Sequence, residues 1–451
     1  MTFPGGVHPL EAKEITENCP ITAGPEPKTV QILLSQHLGA PCKEEVKKRD
    51  TVTVGQVIGK SQAFVSAAVH SSVNGTVKDI ALVSHPVLGR AKAVIIDAAE
   101  DSPAIELPDD KSVNWDLDEE DYDPDEIINS VNEAGVVGMG GAGFPTRVKM
   151  SRNPQMPLDT IIINGCECEP YITCDYRMML EKTDKIIAGV KLIKKAAGCE
   201  NVYIGIEDNK PKAIEFMAKR LKEMKNTQDF KLCRLKTKYP QGGEKQLIRS
   251  VLKKDVPDGG IPPMIGVLVA NVATAAAVAE AVVVKRPLTH RVVTVSGGGI
   301  NQPGNYYCPI GTAVADIIEF CGGINDKAVK VVMGGPMMGF AIADMTTPLT
   351  KTSGAITVLT KAEIGSAKSK GRQTPCIRCG RCLQVCPVNL NPTKIAHAVK
   401  NGKLEMAKDY HINSCMECGC CSYVCPANIE LTGYIKTGKI LEARAKKLMP
   451  E

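Results

Sequence analysis

At 451 residues the chain is long enough for two to four domains, each burying a core of its own. Its 43% hydrophobic and 23% charged residues are those of an ordinary globular protein, which excludes wholesale disorder and a membrane-embedded bundle. A net charge of +5, 4% aromatics and the lack of a dense Lys/Arg block argue against nucleic acid as a partner.

The first ten residues, MTFPGGVHPL, show no basic segment followed by an apolar one, so a secretory signal is not expected. The expected compartment is the cytosol, where thiols stay reduced. Eighteen cysteines there read as metal ligands or buried thiols, not as a disulfide framework.

Between residues 28 and 98, short Val-rich runs alternate with Gly and Asp turns, the pattern of a small all-β unit. Residues 109–126 are crowded with carboxylates and read as a solvated linker or surface loop. From 125 to about 286, helical patterns alternate with apolar strands at 160–164, 202–206 and 267–270, the clearest helix being 183–197. That alternation predicts an α/β domain with a largely parallel sheet. The stretch 264–284 is long enough to cross a bilayer, but it carries Asn271, Thr274 and Glu280. A buried strand, a polar loop at Asn271 and a packed helix fit it better. Residues 291–323 read strand, glycine turn, strand, helix: a compact α+β unit. Past 361 lies a cysteine-rich segment with helical connections at 392–410 and 431–448. The last helix is basic and amphipathic, and reads as a solvated face.

The cysteine segment carries the strongest signal. Cys376, Cys379, Cys382 and Cys386 precede Pro387, and Cys415, Cys418, Cys421 and Cys425 precede Pro426. Both runs match C-x₂-C-x₂-C-x₃-C-P, in which the fourth cysteine ligates the other of two [4Fe-4S] clusters. The expected ligand sets are therefore Cys376, Cys379, Cys382 and Cys425 for one cluster, and Cys415, Cys418, Cys421 and Cys386 for the second. Paired zinc ribbons are the alternative; zinc sites stop at C-x₂-C pairs and have no use for the terminal C-P. Cys420 is left over as a buried thiol.

Gly138, Gly140, Gly141 and Gly143 form a dense glycine run, which suits a nucleotide phosphate or a plain tight turn. Two strands end near polar groups: 161–164 runs into Glu167 and Glu169, and 267–270 into Asn271 and Thr274. Ligands of open α/β sheets lie beyond such strand ends. A solvated loop is the other reading of the two acids.

Taken jointly, GMGGAGFPTRVKM, NGCECEP, YPQGGEK, ANVAT and the paired cluster motifs resemble the RnfC family, part of the Rnf complex, a membrane assembly coupling electron flow between ferredoxin and NAD to ion transport. The core also resembles the flavoprotein subunit of respiratory complex I, which binds FMN and NADH. The resemblance implies a barrel-sandwich domain, lipoyl/biotinyl-like, at 1–108, then an acidic linker at 109–124. It further implies a Rossmann-like FMN/NADH α/β domain at 125–290, a soluble-ligand-binding β-grasp unit at 291–345 and a helical ferredoxin domain at 361–451. It implies that Gly138, Gly140, Gly141 and Gly143 line the FMN phosphate and ribityl chain, with Lys149 nearby. Asn164, Asn271 and Thr274 would hold the flavin and Phe144 would stack near NADH. Glu167, Glu169 and Glu244 would contact NADH beside Tyr239, Gly242 and Gly243. The chain departs from the complex I pattern at Arg147 (glycine there) and at Cys166 and Cys168 (Asp and Ser there).

Carriers of lipoate or biotin need an acceptor lysine on a hairpin, and none occurs between Ser61 and Val77, so this domain is expected to be a docking scaffold with no covalent lipoyl or biotin. The expected function is exchange of hydride between NAD(H) and FMN, then single-electron passage through two clusters; a flavin links the two regimes. No general acid or base is needed. The resemblance implies membrane and ferredoxin-interacting Rnf subunits as partners, and attachment through them to the cytoplasmic side of the cell membrane. Two rivals remain open on the residues: a soluble relative feeding a reductase of the proline or cobalamin type, and a flavin-free iron–sulfur adaptor.

Overall fold

A computed structural model describes residues 1–100, 102, 103, 105–108, 110–365 and 373–448. Near the N-terminus two small antiparallel sheets face each other. One orders Thr29–Leu33, Gly89–Ala98, Gly75–His85 and Thr51–Val52; the other orders Lys43–Glu44, Val57–Lys60 and Val69–His70. Val30, Ile32, Val52, Ile58, Val77, Val94 and Ile96 fill the space between them. Alternation along each strand puts one face inward, as the sequence pattern requires.

The acidic stretch departs from the expected solvated loop. Asp110 pairs with Lys182 and Lys185, Asp116 with Lys191, Glu119 with Lys194 and Glu120 with Lys195. Trp115 and Leu117 are buried between these pairs. The segment is a strap along the helix Thr183–Ala197, because that helix offers a matching row of lysines. Charge density alone does not reveal a partner face some seventy residues away.

The α/β domain has a four-stranded parallel sheet in the order Phe230–Leu235, Asn201–Glu207, Thr160–Gly165, Val267–Asn271. Its strands are nearly continuous in apolar residues because helices cover both faces. The chain moves outward from Thr160–Gly165 through two neighbours, then crosses back to place Val267–Asn271 on the other side of it. The stretch 264–284 resolves into that last strand and the helix Val272–Val283, divided at Asn271. The Asn271 side-chain oxygen caps the helix by accepting from Ala273 N at 2.9 Å. The alanines let the helix press against Thr183–Ala197, where a Cβ on Gly189 would lie 1.8 Å from the Ala275 carbonyl. No helix among the described residues is long and apolar enough to cross a membrane.

A six-stranded mixed sheet follows, ordered Ile21–Ala23, Gly304–Pro309, His290–Ser296, Ala355–Thr360, Ala328–Met333, Phe340–Ile342. It extends beyond 291–345 at both ends: Ile21–Ala23 pairs in parallel with Gly304–Pro309, and Ala355–Thr360 sits at its centre. Such long-range pairings leave no local sequence signature.

Lys351 joins three domains. Its ammonium donates to the Ala68 carbonyl at 2.6 Å and the Gly135 carbonyl at 2.7 Å, and Gln36 accepts from its backbone N–H at 2.9 Å. Burial brings its pKa down to about 7. Between pH 7 and the ordinary lysine value the unfolded chain therefore holds a proton that the folded chain has lost, so stability rises with pH across that window. Lys351→Met is expected to cost about 2–4 kcal/mol by orphaning two buried carbonyls. It is also expected to abolish the rise, as read from urea melts at several pH values.

Candidate flavin crevice and paired cluster sites

Where neighbouring strands of a parallel sheet run their connections to opposite sides, a crevice opens at their carboxyl ends. Here it lies between Thr160–Gly165 and Val267–Asn271, and Asn164 and Asn271 stand there in register. Asn164 Nδ2 donates to the Gly242 carbonyl at 2.8 Å, and its Oδ1 accepts from Cys166 N at 3.1 Å. Asn271 Nδ2 donates to Asp175 Oδ2 at 2.6 Å.

The glycine run closes as a loop over this crevice. Gly138 N donates to the Phe144 carbonyl at 2.8 Å and Gly143 N to the Gly138 carbonyl at 3.2 Å. Met139 N donates to Thr274 Oγ1 at 2.9 Å, tying the loop to the helix start. Gly143 has φ +66°, and a Cβ there would stand 2.7 Å from the Thr352 methyl, so glycine is required. The N–H groups of Gly140, Gly141 and Ala142 are exposed and meet no acceptor among the described residues. Free N–H groups on a glycine loop beside a helix start fit a phosphate-bearing cofactor. Lys149 Nζ spans the mouth between Glu244 Oε1 at 2.9 Å and the Val269 carbonyl at 3.1 Å.

Gly138, Gly140, Gly141, Gly143, Lys149, Asn164, Gly242, Gly243, Glu244, Asn271 and Thr274 are thus gathered around one crevice, with Phe144 half-buried at the loop's exit. Glu167 and Glu169 are engaged within the chain. The Glu167 carboxylate accepts from Asp175 N at 2.6 Å and Tyr176 N at 3.2 Å, capping the helix Cys174–Glu181. Glu169 accepts from Met337 N at 2.6 Å and Met338 N at 2.9 Å. Burial raises Glu167 to about 7 against the pull of Lys13. Lys13 Nζ knits this wall together, donating to the carbonyls of Glu167, Glu169 and Ile172 at 2.8, 3.0 and 2.7 Å. Sequence reading missed Lys13 and Asp175; Lys13 has no local signal, being 154 residues from Glu167.

The departures from the complex I pattern have places too. Arg147 donates to the Phe64 carbonyl and stacks 5.1 Å over its ring, tying the crevice to the N-terminal domain. Cys166 is buried, its carbonyl held by Lys210 Nζ at 2.6 Å. Cys168 Sγ accepts from Gly242 N at 3.3 Å.

The cysteine segment is one structure used twice, thirty-nine residues apart (Cys376 to Cys415). Left-handed backbone recurs at Arg378 and Glu417, Gly380 and Gly419, Asn389 and Asn428. Backbone N–H groups donate to sulfur in both copies, from Arg378 to Cys376 and Glu417 to Cys415, and from Leu390 to Cys386 and Ile429 to Cys425, at 3.2–3.5 Å. Cys382 and Cys421 lie 3.0 and 3.5 Å from Thr393 and Thr432. A cavity between the copies is lined by Cys386 of the first together with Cys415, Cys418 and Cys421 of the second. An all-thiol lining of four is the donor set a [4Fe-4S] cluster requires, and it is the exchanged set the spacing implies. Burial pushes the thiols of Cys415 and Cys421 up to about 11 and about 12, so metal loading must release their protons. Cys376 and Cys379 are exposed, Cys382 and Cys425 half-buried. Cys420 is buried 4.0 Å from the Tyr239 carbonyl.

The crevice and this cavity share one loop. Gly242 bonds Asn164 on one side; Tyr239, 1% exposed, donates its hydroxyl to the Cys418 carbonyl at 2.7 Å on the other. Gln246 Nε2 adds a contact to the Pro387 carbonyl at 3.4 Å.

Comparison with known proteins agrees with this layout. Residues 1–101 match the RnfC barrel sandwich hybrid domain, 131–280 the Nuo51 FMN-binding domain, 292–341 the SLBB domain and 372–429 the 4Fe-4S dicluster domain. The protein is therefore of the class that combines an FMN-binding domain with paired iron–sulfur clusters for electron transfer. The RnfC protein of the proton-translocating ferredoxin:NAD(+) oxidoreductase complex of Clostridium ljungdahlii is 44% identical over 90% of this chain and 86% of its own length. Its counterpart in the Na(+)-translocating complex of Acetobacterium woodii is 40% identical over 88% and 86%. The chain belongs to the RnfC family. A crystal structure of an NAD+-reducing [NiFe]-hydrogenase in the air-oxidized state shares the fold, with a TM-score of 0.51 and 20% identity over 73% of this chain and 68% of that one.

Proposed function

We propose that the chain is the NADH-reactive electron-transfer subunit of a membrane-bound, ion-translocating ferredoxin:NAD oxidoreductase. The observation that carries this reading is the loop 239–244, which bonds Asn164 in the crevice and Cys418 at the buried thiol cavity.

In this reading the open N–H groups of the Gly138–Gly143 loop and Lys149 hold the phosphate end of FMN, while Asn164, Asn271 and Thr274 place its ring. Phe144, Gly242, Gly243 and Glu244 line the approach of NADH; Glu167, Glu169 and Tyr239 shape the wall behind it. Bound FMN supplies the exchange between two-electron hydride chemistry and one-electron transfer. The residues themselves bind, orient and exclude water; no side chain is required to move a proton. The thiolates of Cys386, Cys415, Cys418 and Cys421 hold the cluster on the flavin side, and those of Cys376, Cys379, Cys382 and Cys425 the one facing outward.

Membrane subunits and a ferredoxin-interacting subunit are the partners in this proposal, and they hold the chain on the cytoplasmic face. The N-terminal sandwich serves as scaffold, without covalent lipoyl or biotin. The test is anaerobic reconstitution with FMN, iron and sulfide, followed by NADH. Bleaching of the flavin band with reduction of both clusters is expected; an unbleached flavin and oxidised clusters would leave a relay without NADH chemistry.

A further inference from the structure

The duplication shows one face twice. In the second copy, residues 416–420 are covered by the flavin-binding half of the chain. A Cβ on Gly243 would lie 2.6 Å from the Met416 methyl, Tyr239 bonds the Cys418 carbonyl, and a Cβ on Gly419 would lie 2.9 Å from the Met337 carbonyl. In the first copy the corresponding residues, Ile377 to Arg381, have the same backbone and lie open to solvent, with Ile377 66% and the nearby Leu383 43% exposed. One copy of this face is already seated on a redox domain; the other is free.

We propose that the first copy's face docks a small, acidic iron–sulfur carrier protein. The inference rests on the electron-transfer reading above and adds the chemistry of the partner. Where the covered copy has Glu417 and Cys420, the open copy has Arg378 and Arg381, both exposed and without a carboxylate partner among the described residues. Two free guanidinium groups around an apolar centre select a surface that carries carboxylates around its own exposed redox centre. Arginine suits this, since its planar fork binds carboxylates in pairs. Exposed opposite charges speed encounter and give small, transient contacts of the kind electron carriers use. One electron leaves one partner and enters the other per encounter, with no bond made or broken.

Arg378→Glu is a gentle change, because Glu417 holds the same left-handed backbone in the second copy. The test uses the full chain loaded with FMN and iron, and a strongly acidic two-cluster ferredoxin as probe, with affinity read by biolayer interferometry at low and physiological salt. Expected is binding that weakens with salt, and R378E/R381E weakening it at least about tenfold at low salt. R378Q/R381Q, which removes charge and keeps size, should fall between, and iron content should not change in either variant. An R378E/R381E affinity within threefold of the parent overturns the proposal. So does an equal loss from K212E/K219E, the same charge change on the exposed side of the helix Pro211–Glu223. Cluster reduction by NADH without the probe tests the electron-transfer reading separately, so failure of one is not mistaken for failure of the other.

Discussion

The C386A variant, purified anaerobically, is expected to retain about half the iron of the parent chain. The half it loses is the cluster held by the second motif, although Cys386 belongs to the first. The reason is spatial: Cys386 lines the same cavity as Cys415, Cys418 and Cys421. NADH should no longer reduce the remaining cluster, because the lost one stands between it and the crevice. C425A should do the converse, leaving the buried cluster reducible by NADH and removing the exposed one. Iron analysis with electron paramagnetic resonance of the reduced protein distinguishes these cases. If C386A instead removed the signal of the exposed cluster, the exchanged assignment would be wrong.

Asn271→Ala is expected to have the second large effect. Its side-chain oxygen caps the helix Val272–Val283, and its amide satisfies the buried Asp175 carboxylate at 2.6 Å. Loss of a cap costs about 1 kcal/mol, and a buried carboxylate left short of a donor costs about 1–3 kcal/mol more. Urea melts should therefore show a loss of about 2–4 kcal/mol. Burial already raises the Asp175 pKa and the Asn271 amide opposes that rise, so the variant's carboxyl should take up a proton more readily. Because Thr274 anchors the glycine loop at the start of the same helix, FMN affinity should fall at least about tenfold, a change of 1.4 kcal/mol. A normal FMN titration in a destabilised protein would reduce Asn271 to a structural part.

Much of this was legible in the residues. The eight cysteines fix their own ligand sets by spacing, and the strands of the parallel sheet announce themselves because doubly covered strands are apolar throughout. Asn271 was visible as a break between strand and helix. Features made by distant pairs were not visible. Lys13 lies 154 residues before the Glu167 carbonyl it holds, Lys351 lies 283 and 216 residues from its two acceptors, and the strap at 110–122 shows its meaning only beside the lysines of Thr183–Ala197. Glu167 and Glu169 were legible as strand-end acids, but their internal use as acceptors for backbone N–H groups depends on turns that spacing does not specify.

The opening segment has a consequence for synthesis. Gly6 donates its N–H to the Val385 carbonyl, Val7 bridges to Tyr239, and Ile21–Ala23 completes a sheet edge against Gly304–Pro309. Translation at about 5–20 residues per second separates Gly6 from Val385 by roughly 20 s to over a minute. For that interval the first-made stretch has nowhere to settle, while domains made after it acquire their cores. Its seating is the last stitch of assembly, and it registers that flavin and cluster halves have both folded.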